Sequence, residues 1–367
     1  MQERKIRVAI THGDTNSTGY ELLFKAFDEP TMFDLCTPII YGSPKVAAYH
    51  RKALGTETNF SIISKAEEAH EDKLNLLTTF DDEIKVDLGQ PTPESGLAGL
   101  KALDRAMTDF RQGDYDVLVT LPLNGADLTT ADFKFPGQTR YIEASLDEEG
   151  QSMQILTNEY LRLALATTRI PLKEVASTIS KELIVGTVTT LHKSLRRDFR
   201  ISNPRIAILA LNPRNGDGSF GKEEDDIIAP AIGELASADI NAFGPYAAEE
   251  FFGDGLFEHF DAVMAMYDDQ GLAPFATLTT DCSTLFTSGL SIVRTAPTGE
   301  ADYENAGKGV ADPLALRHAI YLAVDIYRHR MEYDEPLANP LKKLYKEKRD
   351  EGDRPRFAAP KKIDSNS

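Results

Sequence analysis

The apolar run Ala262-Val-Met-Ala-Met266 ends abruptly in Tyr267-Asp268-Asp269-Gln270-Gly271, an aromatic, two carboxylates, an amide and a glycine. A strand that delivers acidic side chains to its carboxyl end builds a site at the edge of a sheet. The plain alternative is that the aspartates cap the next helix. Four further stretches have the same character. His12-Gly13-Asp14-Thr15-Asn16-Ser17-Thr18-Gly19 follows an apolar strand, a geometry that aims backbone N–H groups at a ligand. Phe135-Pro136-Gly137-Gln138-Thr139-Arg140 presents a hydroxyl and free N–H groups, which suits a phosphate and would equally suit an N-cap. Thr167-Thr168-Arg169-Ile170-Pro171-Leu172 and Asn212-Pro213-Arg214-Asn215-Gly216-Asp217-Gly218 are polar exits from apolar strands. None of the seven histidines falls in an HxH or HExxH spacing, and no CxxC occurs, so a zinc enzyme gets no local support.

These turns need a scaffold of alternating strands and helices. Strands are expected at Ile6–Thr11, Thr37–Tyr41, Tyr115–Leu121, Leu161–Thr168, Arg205–Leu211 and Ser291–Arg294, besides the run before Tyr267. Helices are expected at Tyr20–Phe27, Pro44–Leu54, Pro171–Ile179, Val188–Phe199, Glu223–Ala236 and Asp312–His329. A further helix opened by Pro91–Gly96 places Leu97, Leu100, Leu103, Met107 and Phe110 on a core face. The stretch 55–90 reads as an exposed excursion with short strands, and Gly244-Pro245-Tyr246 as the start of a loop. Together these predict a large α/β fold of two lobes with a cleft between them. Residues 1–330 form one unit of two interleaved lobes, and 331–367 a polar, partly ordered extension.

The formal net charge is −18, from 58 acidic and 40 basic residues. Such a surface repels nucleic acid and anionic lipid. The sequence contains no apolar run of membrane-spanning length and begins without a signal-peptide core. Cys36 and Cys282 read as buried free thiols, consistent with a reducing cytoplasm. A small anionic ligand remains compatible with this surface through a local basic pocket.

Taken in order, these motifs resemble the 4-hydroxythreonine-4-phosphate dehydrogenase (PdxA) family of vitamin B6 biosynthesis, from about Ile6 to Arg330. The blocks that carry the resemblance are Gly13-Asp14 with Gly19-Tyr20-Glu21, Thr120-Leu-Pro-Leu-Asn124, Phe135–Thr139, Thr167–Leu172, Leu211-Asn-Pro213, Gly244-Pro-Tyr246, Tyr267–Leu272, Gly289-Leu290, Arg294-Thr295 and Ala306-Gly-Lys-Gly309. The resemblance implies an isocitrate/isopropylmalate dehydrogenase-like fold and a homodimer. It implies NAD as oxidant of 4-phosphohydroxy-L-threonine, followed by loss of CO₂. It also implies a divalent metal on three His ligands, one from the partner subunit, that stabilises the developing enolate.

The sequence departs from the family at the residues that do this work. Arg169, Arg214 and Asp268 stand at the three metal-ligand positions, and Gln138-Thr139 replaces a phosphate-binding His-Thr pair. Ala276 and Leu285 replace a substrate-contacting Lys and Asn, while Arg294 and Thr139 are retained. Gly299-Glu300-Ala301-Asp302 replaces a cofactor-holding His-Gly-Thr-Ala, with Asn305 close behind. Guanidinium stays protonated and offers no lone pair, so a bound divalent metal is not expected. NAD, implied by the family, is expected to bind weakly or not at all beside Glu300 and Asp302. The sequence thus predicts a family member without the metal-dependent reaction that binds a small phosphorylated or carboxylate ligand through Gln138, Thr139, Arg294, Arg169, Arg214 and Asp268. The alternatives are an active dehydrogenase of the family substrate or a related phosphorylated hydroxy acid, and a non-catalytic subunit of an active homologue. Arg169 and Arg214 are expected to converge on Asp268 of the partner subunit.

Overall fold

The computed structural model describes residues 4–80, 84–123, 129–130, 133–135, 137–216, 221–279 and 282–338, with the backbone alone at 129–130 and 133–134. Asn124, Pro136, Asp217, Gly218 and the terminal stretch from 339, all named above, lie outside it. The strands are β1 (Arg7–Thr11), β2 (Thr37–Gly42), β3 (Ser61–Ile63), β4 (Asn75–Thr78), β5 (Val117–Thr120), β6 (Thr129–Thr130), β7 (Phe133–Lys134), β8 (Met153–Thr157), β9 (Arg162–Leu165), β10 (Arg205–Leu209), β11 (Asn241–Tyr246), β12 (Ala262–Ala265), β13 (Thr284–Ser288) and β14 (Val293–Pro297). The helices are α1 (Gly19–Ala26), α2 (Thr31–Leu35), α3 (Pro44–Leu54), α4 (Pro93–Gln112), α5 (Gln138–Leu146), α6 (Leu172–Thr178), α7 (Lys181–Arg197), α8 (Ala229–Ser237), α9 (Ala248–Gly253), α10 (Asp268–Leu278) and α11 (Leu314–Ala338).

One sheet runs through the molecule in the order β11-β10-β12-β9-β8-β13-β14-β5-β1-β2-β4-β3, and β6 pairs with β7 in a separate ribbon. Strands β14, β5, β1, β2, β4 and β3 are mutually parallel, as are β9, β12, β10 and β11. The pairs β14/β13, β13/β8 and β8/β9 are all antiparallel. Three reversals leave the two parallel sets running in opposite directions, one per lobe, with β8 and β13 as the seam.

Side chains of alternate residues point to opposite faces of a strand, and the two faces are built differently. On the back, Val8, Ile10, Val117, Val119, Val293, Phe286, Ile155, Ala164, Met264 and Ile206 join one continuous core beneath α1, α7, α8 and α11. On the front, Ala9, Ile39, Leu118 and Ile292 pack with α4 and α5 in one lobe. Leu163, Val263, Ala265 and Ala207 pack with α9 and α10 in the other. Between these two front cores the seam carries polar side chains, and the cleft is there.

Several local expectations need correction. Within 55–90, β4 inserts between β2 and β3 and buries Leu76 and Leu77, because each β4 side chain finds a covered face. Leu97 is 43% exposed, whereas Leu100, Leu103 and Met107 are buried as expected and are joined by Ala98, Ala102 and Ala106. Small alanines let the helix sit low on β1 and β2, which a search for large apolar residues overlooks. Gly244-Pro245-Tyr246 belongs to β11, with a cis peptide bond before Pro245. Helix α7 begins at Lys181, capped by the Ser180 hydroxyl. Strands β8 and β13 were not foreseen. Helix α11 continues to Ala338, where Asp334 pairs with Arg197 and Glu332 with Arg200. Cys36 and Cys282 are buried and form no disulfide, as expected.

Candidate functional site

The polar patch at the seam is assembled from four adjacent strands. Thr120 of β5, Arg294 of β14, Thr287 of β13 and Gln154 of β8 share the front face, since their neighbours Val119, Val293, Phe286 and Ile155 belong to the back core. Arg294 is 4% exposed. Its Nε and Nη2 donate to Thr120 Oγ1 at 3.0 and 2.6 Å, and Nη1 donates to Thr287 Oγ1 at 3.0 Å and Thr139 Oγ1 at 3.5 Å. No carboxylate among the described residues pairs with it. Removal from water therefore disfavours the cation and pulls its pKa down to about 10. Within the described residues the charge is met by hydroxyl dipoles alone.

Helix α5 supplies the other wall. Its first residues are Gln138 and Thr139, with Gly137 at the N-cap and no side chain capping the free N–H groups. Gln138 Nε2 donates to the Leu121 carbonyl at 3.1 Å, which fastens the helix start to the end of β5; Gln138 Oε1 is buried without a partner. Gln154 Nε2 donates to Thr139 Oγ1 at 3.3 Å. The structure thus brings together three of the predicted residues, Gln138, Thr139 and Arg294. It adds Thr120, Thr287 and Gln154; neither Met153-Gln-Ile-Leu-Thr157 nor Thr284-Leu-Phe-Thr-Ser288 alternates cleanly enough to mark the last two. Leu285 lies on this face too, two residues before Thr287. Arg140 stays outside, exposed and paired with Glu143.

The three positions implied as metal ligands follow the carboxyl ends of β9, β10 and β12. Gln270 ties two of these ends together, accepting from Met266 N at 2.7 Å and donating to the Ala210 carbonyl at 2.6 Å. Gly271 permits α10 to close on the sheet, because a Cβ there would lie 2.9–3.0 Å from Leu165, Ala265 and Leu163. Asp268 opens α10, and its Oδ2 accepts the Arg169 backbone N–H at 2.7 Å. Arg214 is exposed on its own turn, which buried Glu224 holds by accepting from Leu211 N and Asn212 N at 2.9 and 2.7 Å. Within one chain, then, Asp268 takes the backbone of Arg169 rather than either guanidinium. Arg169, Arg214 and Asn215 have φ of 54°, 53° and 56°, a left-handed conformation that costs roughly 1–3 kcal/mol at a residue other than glycine.

The remaining candidates lie around the first turn. Gly13 has φ 73°, and a Cβ on it would meet the Pro122 carbonyl at 2.5 Å, so only glycine fits. Asp14 is fully buried and accepts from Asn16 N at 2.7 Å and Ser95 Oγ at 2.8 Å; burial raises its pKa against these donors. Gly299 and Glu300 are exposed. Asn305 is turned inward, its N and Nδ2 donating to the two oxygens of Asp302 at 3.0 and 2.9 Å. Asp302 therefore satisfies its own loop rather than facing the cleft as a bare charge.

A family model described as "Pyridoxal phosphate biosynthetic protein PdxA" matches residues 34–323. The chain is 49% identical over 355 residues to a 4-hydroxythreonine-4-phosphate dehydrogenase of Bacteroides thetaiotaomicron, covering 96% of this chain and 98% of that one. Among solved structures, a 4-hydroxythreonine-4-phosphate dehydrogenase from Burkholderia phymatum superposes with TM-score 0.72 at 26% identity, over 88% of this chain and 99% of the other. One from Klebsiella pneumoniae gives TM-score 0.77 at 24% identity, over 89% and 99%. No described helix is long and apolar enough to cross a membrane.

Proposed function

The chain belongs to the PdxA family, and from that premise we propose that it binds a small phosphorylated or carboxylate-bearing hydroxy acid in the cleft without the metal-dependent dehydrogenation of its relatives. The observation that carries the reading is the Arg294 guanidinium, buried and lacking a carboxylate partner among the described residues. Thr120, Thr139 and Thr287 orient that cation, and the uncapped start of α5 adds N–H donors for the same anion.

The residues at the family's ligand positions do not fit a resident divalent cation. Two are guanidinium groups with no lone pair to donate, and the third, Asp268, already accepts a backbone N–H. No group of three His, Cys, Asp or Glu suited to a metal occurs among the described residues. The exposed Glu300 and the inward-turned Asn305 favour weak NAD binding at best. We further propose a homodimer, with a mass by light scattering of twice the 40.5 kDa chain.

A second reading, an active NAD-dependent dehydrogenase acting on 4-phosphohydroxy-L-threonine by another route, is favoured by the relative at 49% identity that bears that activity in its name. Purified protein supplied with 4-phosphohydroxy-L-threonine, NAD and Mg²⁺, Zn²⁺ or Co²⁺ separates the two. We expect no NADH absorbance, and metal content well below one per chain after dialysis. Steady NADH production selects the second reading.

A further inference from the structure

Arg169 stands at a position that the family resemblance assigns to metal, yet its side chain reaches toward α5. A Cβ built on Gly137 would lie 3.9 Å from Arg169 Nη1, which puts this guanidinium at the N-cap of α5. Two residues along that helix, Thr139 Oγ1 is within 3.5 Å of Arg294 Nη1. Both arginines thus border the first turn of one helix, from opposite lobes: Arg169 follows β9 and Arg294 lies on β14. Neither forms an ion pair with a carboxylate among the described residues. The Arg169 backbone is held in place by Asp268, whose Oδ2 takes its N–H at 2.7 Å, and φ is 54°. That carboxylate fixes the chain, and within one protomer the guanidinium has no carboxylate partner among the described residues.

We propose that Arg169 is the second cation of the anion site at the amino end of α5, making the site selective for a phosphate-monoester dianion over a monocarboxylate. The proposal rests on the anion-binding reading above and deepens it. One guanidinium and a helix terminus match a single negative charge. Two guanidinium groups with free N–H donors between them match two, and offer forked hydrogen bonds to a tetrahedral oxyanion. The charge that a divalent ion would bring is then supplied by the chain itself. In this arrangement Arg169 belongs to specificity, not to proton or hydride transfer.

The test uses the full-length protein, with inorganic phosphate, O-phospho-L-serine and acetate as calorimetric probes. Arg169→Asn removes the cation and suits the left-handed backbone, where Asn is a favoured occupant. The expected result is a loss of roughly 10-fold or more in affinity for both phosphate probes, as for a charge-assisted hydrogen bond. Acetate binding should change little. The pH profile gives a readout that a structural role would not move. Wild-type affinity for O-phospho-L-serine should climb as pH rises through its second ionisation near about 6, and in Arg169→Asn that rise should flatten. Unchanged phosphate affinity in Arg169→Asn, or an unchanged pH profile, overturns the proposal. Arg294→Met separates the levels. If it abolishes phosphate binding while Arg169→Asn does not, only the role of Arg169 fails. If phosphate binds Arg294→Met as tightly as wild type, the reading of the cleft fails with it.

Discussion

Replacing Arg294 with Met sets the stability of the empty protein against its affinity for anions. The guanidinium is almost wholly buried, with hydroxyl acceptors in place of a carboxylate. Its pKa is pulled down to about 10, a fall of roughly 2.5 from the ordinary arginine value, which at about 1.4 kcal/mol per pKa unit penalises the cation by ~3 kcal/mol. Met is neutral and fills much of the volume of the arginine stem. The variant is relieved of that penalty, but the hydroxyls of Thr120, Thr139 and Thr287 lose a donor at about 1 kcal/mol each. The two effects nearly cancel, and the net expectation is a stability within ~1 kcal/mol of wild type in the absence of ligand. Phosphate should separate the two proteins. At a hundred times its dissociation constant it stabilises wild type by about 2.7 kcal/mol and the variant by nothing. Urea unfolding at constant ionic strength, with and without phosphate, measures both. A variant more than ~2 kcal/mol less stable than wild type without phosphate, or an equal phosphate shift in the two proteins, refutes the reasoning.

Two further predictions concern the scaffold. Both ring nitrogens of His12 are buried without a hydrogen-bond partner, the ring stacks on Tyr20 at 5.0 Å, and burial, aided by neighbouring His50, pulls its pKa down to about 3. The unfolded chain takes up this proton near pH ~6.5. Stability from the neutral ring is therefore complete above that pH and falls by about 1.4 kcal/mol per unit as pH drops toward ~3. His12→Phe should lose this component of the acid slope in urea unfolding, and equal slopes in the two proteins would contradict it. Asp198 and Arg330 form a buried ion pair at 2.7 Å, with Ser194 donating to Asp198 and Arg330 donating to the carbonyls of Leu290 and Ser291. Asp198→Ala leaves the arginine uncompensated and should cost about 3–5 kcal/mol, whereas Arg330→Met in the same background should recover much of it. A loss below ~1 kcal/mol in the single variant would show that solvent reaches the pair.

How much of this was readable beforehand follows from how each feature is encoded. Continuous apolar runs such as Arg205–Leu209 and Ala262–Ala265 announce strands buried on both faces, and Pro44–Leu54 marks a helix by its opening proline and closing Gly55. Strands β8 and β13 lacked such a run because polar and apolar side chains are mixed on both of their faces. Their Gln154 and Thr287 were hidden for the same reason. Arg294 and Thr139 were named from the family resemblance, but the burial of the arginine and its hydroxyl ring depend on pairings between residues 118, 287 and 294 that no local pattern shows. Asp268 is expected to meet guanidinium groups of a partner subunit, and within one chain it serves the backbone as well. Its engagement with the Arg169 amide comes from the left-handed turn at 169, which no spacing rule predicts at an arginine.

The sheet divides its labour by side. Along the seam, Ile155 and Phe286 belong to a back core that also takes in residues of both lobes, whereas Gln154 and Thr287 face the other way. The lobes are therefore joined through one shared core at the back and packed through separate ones at the front. The turns beyond β9 and β10 stand apart from this packing. The side chains at 169 and 214 are exposed there, so a substitution at either position alters what the strand ends present to solvent while leaving untouched the cores that fold the chain.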